Sequence, residues 1–474
     1  MESFEFPPNF IWSVATASYQ IEGAAAEDGR GPSIWDTFSK EGRCRNYTGD
    51  IACDSYHNWK RDIEMIKELG VQQYRFSISW SRVFPDGTLK SMNKKGVEYY
   101  KNLISGLIEA GIEPMITIFH WDLPQALQDR GGFLNPQIVD LFGDYSRFCF
   151  ETFGDQVKTW TTFNEPIIFL VLGHAGYSFA HAPGGFKDYS HWTFYLASHH
   201  LLLAHAKAVK IYRELNQGGK IGIVLVTGHF YPATDSEADK EAAVRMKEFW
   251  LGIYANPVLK GDYPDIIKQR VWEMSRKQGR VTSRLPEFTE DESKDLKGSA
   301  DFIGINYYFS FKVTALKEED YDIFKDNVRL IDTHAKFTEL MFNHPSGLRT
   351  SLIQFQKDYG NIPIMITENG MSDDKNQKSE LEDYERIEYL RQHLISLSRA
   401  IKEDKINVIG YTAWSLMDNF EWTKGYDERF GLYRVDFDDP KRTRTPKKSV
   451  YFYKDVVANN RVEGIDTTVN RTKL

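Results

Sequence analysis

The fold class expected from this chain is α/β, an eight-stranded parallel (β/α)8 barrel, and three observations carry that expectation. Eight short apolar runs rich in β-branched and aromatic residues recur along the 474 residues. Longer stretches with apolar residues at i, i+3, i+4 spacing separate them, and that alternation implies a parallel sheet covered by helices. No low-complexity tract or Pro/Gly/Ser linker divides the chain. Residues 1–474 are therefore expected in one domain, with long insertions in the loops that follow the strands.

The expected strands are 10–16, 74–80, 114–121, 159–164, 220–226, 301–308, 363–367 and 408–414. Between the first two, residues 54–69 read as a helix, with Ile63, Ile66 and Leu69 on one face. After the second, Tyr99, Leu103, Ile104 and Leu107 mark a helix over 94–110 that stops at Gly111. A third helix repeats the pattern over 384–401. The stretches 227–300 and 309–362 exceed a minimal βα unit and are expected as insertions around the barrel mouth.

Composition narrows the function. The net charge of −8 argues against a nucleic-acid partner, whose backbone is gripped by clustered Lys and Arg. The 14% aromatic share is enough to fill a core and still line a cleft for flat-faced sugar rings. Three cysteines, Cys44, Cys53 and Cys149, are too few for a disulfide framework, although Cys44 and Cys53 are close enough in sequence to bridge a loop. No run approaches the ~18 apolar residues of a membrane span. The first eight residues carry two acids and no apolar stretch, so they do not read as a signal peptide. A mature secreted form is favoured over a cytoplasmic one. Asn46 and Asn470 open N-x-Thr sequons. Monomer and homodimer are both compatible with the chain.

Barrel enzymes place their chemistry at the C-terminal ends of the strands. The fourth expected strand runs into Asn164-Glu165-Pro166, and the seventh into Thr367-Glu368-Asn369-Gly370. Two carboxylates facing each other across a barrel mouth suit glycoside hydrolysis. One must hold a proton for the leaving oxygen, and the other must be ionised to attack the anomeric carbon. Arg75, at the second strand, is the expected cation beside the ionised one.

With these residues in view, the chain resembles the family 1 glycoside hydrolases, the β-glucosidase family, over nearly its whole length. The blocks that carry the resemblance are FIWSVATASYQIEG from Phe10, YRFSISWSR from Tyr74, FHWDLP from Phe119, TFNEP from Thr162, NYY from Asn306, ITENG from Ile366 and YTAWSLMDNFEW from Tyr411. The resemblance implies a β-glucosidase in which Glu165 is the acid/base and Glu368 the nucleophile of a retaining double displacement, with the carboxyl groups about 5–5.5 Å apart. It implies sugar-binding roles for Gln20, His120, Asn164 and Glu421, with Trp414 and Trp422 as platform and neighbouring donor. Asn164 is expected to reach the 2-hydroxyl. Arg75, Asn306 and Tyr308 are expected to support the nucleophile. No cofactor and no metal are implied, and no cluster with metal-ligand spacing is visible. Taken singly, His120 could be a satisfied core histidine, Trp414 barrel packing and Gln20 a loop cap. Their shared position at strand ends is what argues for a site.

The resemblance also narrows the substrate to a small-molecule β-glucoside. A carboxylate at Glu421 would repel the phosphate of 6-phosphorylated sugars, so the expected sugar is an unphosphorylated glucosyl residue, with galactosyl or fucosyl tolerated. Glu165 speaks against the plant thioglucosidases, which carry Gln there, but insect-type thioglucosidases keep Glu. Those add basic residues for a sulfate, whereas Val171 and Phe309, in the relevant neighbourhoods, are apolar. A thioglucosidase is thus the alternative, followed by a non-catalytic binding barrel. The side that holds the leaving group is expected from the insertions and from 174–195, including Trp192.

Overall fold

The computed structural model describes residues 2–174, 181–317, 332–373 and 380–464. Eight strands close into a parallel barrel: β1 (Ile11–Ala15), β2 (Gln73–Ser77), β3 (Glu113–Phe119), β4 (Thr159–Asn164), β5 (Lys220–Val226), β6 (Phe302–Tyr307), β7 (Ile364–Asn369) and β8 (Val408–Trp414). Each pairs with its neighbours in chain order, and β8 returns to β1. Strands β2, β6 and β7 are buried along their whole length, as a sheet covered on both faces requires.

All eight expected strands are present, three of them (Thr159–Asn164, Lys220–Val226 and Val408–Trp414) with the expected bounds and the others with shifted ends. The second stops at Ser77 because Trp80–Val83 turns into a helical segment. The seventh runs on to Asn369, so Glu368 lies inside the strand and not after it. The expected helices appear as Ser55–Leu69, Lys94–Glu109 and Tyr384–Lys402. Gly111 takes φ +76 just beyond the second of these, the left-handed conformation that ends helices. Ile138–Phe153, Ser190–Leu215, Pro345–Tyr359 and Lys448–Asn459 are helical as well.

The two long insertions carry structure of their own. Ser310–Ala315 pairs with Ala335–Met341 and with Phe230–Pro232 in a three-stranded sheet. The first insertion also holds the helices Glu237–Lys247, Ile253–Lys260, Asp265–Lys277 and Glu290–Leu296. The chain's first strand, Ser3–Glu5, pairs antiparallel with Arg461–Glu463.

Inside the barrel two layers differ in character. Met115, Phe302 and Met365 pack together in an apolar layer. Toward the C-terminal ends the interior turns polar: Arg75 Nε donates to Thr117 Oγ1 at 3.1 Å, and Thr117 meets Thr161 at 2.8 Å. Polar side chains in a barrel core are costly unless bonded, so this layer already points to the site.

Cys44 and Cys53, close enough in sequence to bridge a loop, do not pair: all three cysteines are free and buried. The Cys53 thiol instead donates to Asp418 O at 3.1 Å, and burial pushes the Cys44 thiol up to about 12. Asn46 is exposed, whereas Asn470 lies outside the described residues. Among the described residues no helix is long and apolar enough to cross a membrane.

Candidate active site

Strict alternation along a strand would point Thr367 inward and Glu368 outward. Thr367 does face in, its hydroxyl donating to Asn306 Oδ1 at 2.7 Å. Glu368 faces in as well, because the pairing of β7 slips against β6 between Ile366 and Glu368. Strand β4 uses the same device. Thr162 bonds His205 on the outer Ser190–Leu215 helix, and Phe163 stacks on Phe142 of another outer helix at 4.3 Å, so two consecutive residues face out. The register against β5 shifts between Thr161 and Asn164, and Asn164 then turns inward to Arg75. Bulges of this kind re-aim side chains next to functional sites.

Glu165 follows with φ +45, a left-handed conformation that costs a non-glycine residue about 1–3 kcal/mol. Its backbone N–H donates to Val224 O of β5 at 2.9 Å, which helps to hold the turn.

The two carboxylates sit in contrasting surroundings. Glu368 Oε1 accepts from the Arg75 guanidinium at 2.7 Å, and Oε2 accepts from the Tyr308 hydroxyl at 2.7 Å. Arg75 is 1% exposed, so this ion pair is barely screened. Among the described residues no cation bonds Glu165. Its Oε1 accepts from Asn306 Nδ2 at 2.6 Å. Burial, and then the charge of Glu368, hold the Glu165 carboxyl well above the usual carboxylate range. Asn164 links the two sides: its Oδ1 accepts from Arg75 at 2.7 Å and from Asn306 at 3.2 Å.

That arrangement determines the next residue. With Oδ1 committed, the Asn164 amide N–H donates to His120 Nε2 at 3.0 Å. His120 Nε2 must then accept, which leaves its proton on Nδ1. Burial, aided by the Arg75 charge, pushes His120 well below its ordinary value, so the ring is neutral. Its Nδ1 is buried without a partner.

Both carboxylates open into one cavity of about 370 Å³, which His120, Asn164, Tyr308, Trp414, Glu421 and Trp422 also line. Trp414 and Trp422 lie nearly parallel to the His120 ring, with centroids 6.1 and 6.0 Å away. Gln20 stands behind the wall. Its Nε2 donates to Asn419 Oδ1 at 2.9 Å, to Phe420 O at 3.0 Å and to Glu421 Oε2 at 3.3 Å. A sugar-sized cleft with convergent polar groups on an aromatic frame can hold a pyranose between an acid and a nucleophile.

The model of "Glycosyl hydrolase family 1" matches residues 2–462. Myrosinase 1 of Brevicoryne brassicae is 45% identical over 472 residues, covering 97% of this chain and 99% of that protein. The human cytosolic beta-glucosidase is 42% identical over 471 residues, covering 97% and 99%. The structure of an aphid myrosinase superimposes with a TM-score of 0.89 at 43% identity, covering 96% of this chain and all of that one.

The chain belongs to glycosyl hydrolase family 1.

As a family 1 glycosidase it gathers the eleven residues singled out from the sequence around one centre, and three expectations need correction. Asn306 is the register partner of Glu368 across β6 and β7, but its amide bonds Glu165 and not the nucleophile candidate. Val171 is buried and does not line the cleft; Ile168, one helical turn earlier, does. Glu421 is not a simple charge: burial, then Glu428 and Glu368, push it up to about 8. That shift favours the protonated form at neutral pH, so Glu421 by itself does not supply the fixed negative charge expected of it.

Sequence reasoning did not single out Trp121, Glu428 and Phe430, which line the cavity, whereas His181 and Phe342 come from the 174–195 segment and the 309–362 insertion expected around it. Trp121 was within reach, since it follows His120 in the FHWDLP block. The others come from loops and insertions whose paths only the fold defines. Phe309 lines the cleft as expected. Residues 175–180 of the expected leaving-group segment lie outside the described residues.

Proposed function

We propose that this family 1 glycosidase is a retaining β-glucosidase that releases terminal β-D-glucosyl residues from small uncharged glycosides. One observation carries the reading. Two carboxyls share a cleft, one paired with a buried guanidinium and the other driven to hold its proton. In the first step Glu165 donates its proton to the glycosidic oxygen while Glu368 attacks the anomeric carbon, so the C–O bond breaks and a glucosyl ester forms. In the second step Glu165, now ionised, takes a proton from water. The resulting oxygen nucleophile attacks the anomeric carbon and expels the Glu368 carboxylate. Arg75 and the Tyr308 hydroxyl hold that carboxylate in place before attack and receive it on departure.

The remaining cleft residues supply the sugar's hydrogen bonds. Asn164 keeps a second amide N–H for the 2-hydroxyl. His120 lines the wall of the cleft, and Glu421, held from behind by Gln20, takes the 4- and 6-hydroxyls. Trp414 and Trp422 supply apolar faces for the ring. A Glu421 that holds a proton both donates and accepts, which suits either configuration at C4 and supports tolerance of galactosyl and fucosyl groups.

The similarity to myrosinases makes thioglucoside cleavage the second reading. A sulfated substrate needs a cation at the cleft, and no Lys or Arg is found among the described residues that line it. The test is parallel turnover of an aryl β-glucoside and a sulfated thioglucoside. The proposal expects the first to be cleaved far faster, and faster cleavage of the second would reverse the order of the two readings. Well-folded protein with no turnover of either would favour the binding-barrel alternative.

A further inference from the structure

The rim of the cleft beyond β7 and β8 is built from three irregular pieces of chain. Gly370–Ser372 supplies one edge, the segment ending in Glu421 and Trp422 a second, and Glu428 to Phe430 a third. Apart from a short turn at Trp422–Lys424, none of these is held by a helix or by the barrel ladder. Glu421 must nonetheless be placed to hydrogen-bond accuracy.

Behind all three lies a buried group of charges. Lys447 is fully buried, and its Nζ donates to Asp373 Oδ2 at 2.6 Å and to Asp418 Oδ1 at 2.8 Å. Asp373 adjoins Ser372, and Asp418 stands three residues before Glu421. The same Asp418 Oδ1 accepts the N–H of Gly431 at 3.0 Å, one residue past Phe430. Lys447 adds its own backbone N–H to Leu432 O at 3.0 Å. Arg386, 1% exposed, pairs with Asp383 and Asp373 and donates to Arg429 O at 3.0 Å and Met371 O at 3.3 Å. Asp383 in turn accepts from Ser449 N at 2.9 Å, which ties the group back to the helix that follows Lys447.

Burying two cations and three carboxylates is a poor route to stability, because desolvation offsets much of the attraction and apolar packing often does as well. What such a network does provide is fixed geometry, since each charge has few acceptable positions. From the other side, Gln20 grips the same segment through Asn419, Phe420 and Glu421. Glu421 therefore sits between a neutral amide anchor and an ionic one.

We propose that Lys447, together with Asp418 and Arg386, is a positioning residue for the sugar: it sets Glu421 at the 4- and 6-hydroxyls by pinning the loops after β7 and β8. This rests on the reading of Glu421 as a sugar-binding residue. Lys447 itself touches no substrate. Its effect should pass through Glu421 and leave the Glu165–Glu368 pair, held separately by Arg75 and Asn306, in working order.

The experiment is a double-mutant cycle read with an aryl β-glucoside and its 4-deoxy analogue. In wild-type protein the glucoside should be preferred, and Glu421→Ala should erase the preference. If it does not, the sugar-binding reading of Glu421 fails, whatever Lys447 does. Given that loss, Lys447→Met should lower kcat/KM for the glucoside about a hundredfold, the scale of a misplacement near 1 Å. The 4-deoxy analogue should lose far less, and adding Lys447→Met to Glu421→Ala should cost less than about threefold more. Equal losses on both substrates, or full additivity in the double variant, would show a merely structural role and overturn the proposal. Should Lys447→Met fail to fold, Asp418→Asn keeps the shape and the Gly431 contact while removing the charge, and the same cycle decides.

Discussion

The raised Glu421 carboxyl makes a prediction about stability that no contact count would suggest. Burial, then the charges of Glu428 and Glu368, move this acid from 4.5 to about 8 in the folded protein. In the unfolded chain it titrates near 4.5. Below that value both states hold the proton and the group has no effect. As pH rises past 4.5 the unfolded state ionises freely while the folded state does not, so stability falls until the folded group also ionises above about pH 8. At 1.36 kcal/mol per pH unit the interval from 4.5 to 8 gives a ceiling of about 5 kcal/mol, of which about 3 is present at pH 7. Glu421→Gln removes the titration while keeping an oxygen for Gln20 Nε2. Urea unfolding, followed by tryptophan fluorescence at pH 4.5, 7 and 9, should find the variant level with wild type at the lowest pH. It should become the more stable of the two by roughly 3 and then 5 kcal/mol at the higher values. Its glucosidase activity should fall, a trade of function against stability found where a site is held under electrostatic load. A gap that stays flat with pH, or that closes as pH rises, would refute the reasoning.

Glu368→Ala should abolish turnover, and azide, entering where the carboxylate stood, should partly restore it with an inverted glycosyl azide as product; near-normal activity without azide would refute the assignment. Glu165→Ala should slow alkyl glucosides by several orders of magnitude more than dinitrophenyl glucosides, whose leaving groups need little protonation. Equal losses across a leaving-group series would count against its role as the acid. Prolonged dialysis against a chelator should leave the rate unchanged, since no group of three or more potential metal ligands is found among the described residues; a loss restored by a divalent ion would contradict this.

Much of the fold was legible because the barrel writes a strong periodic signal. Strands such as Lys220–Val226 are short, apolar and bounded, and the helix before Gly111 ends where its composition says it should. The proposed catalytic pair was legible for a different reason: Glu165 and Glu368 fall at strand ends in ordered motif blocks. What could not be read is how Glu368 faces inward at all. Alternation from Met365 and Thr367 would turn it out, and only the register slip in β7 brings it in. Bulges leave little trace in a single sequence because the extra residue needs no special side chain. Asn306 was expected near Glu368, its register partner, but its position along β6 does not tell which way its amide leans, and it bonds Glu165. Glu428 and Phe430 were missed because loops reach the cleft from far along the chain, and Val171 was chosen one turn of helix away from Ile168. The state of Glu421 needed neighbours that no local pattern supplies.

The double displacement is tested most directly by the anomer released first. Proton NMR of an aryl β-glucoside, recorded in the first minutes of hydrolysis before mutarotation, should show β-glucose appearing ahead of α-glucose. Two inversions at one carbon, the first by Glu368 and the second by water, restore the starting configuration. If α-glucose appears first, there is a single displacement by water, and Glu368 does not form the ester on which the account depends.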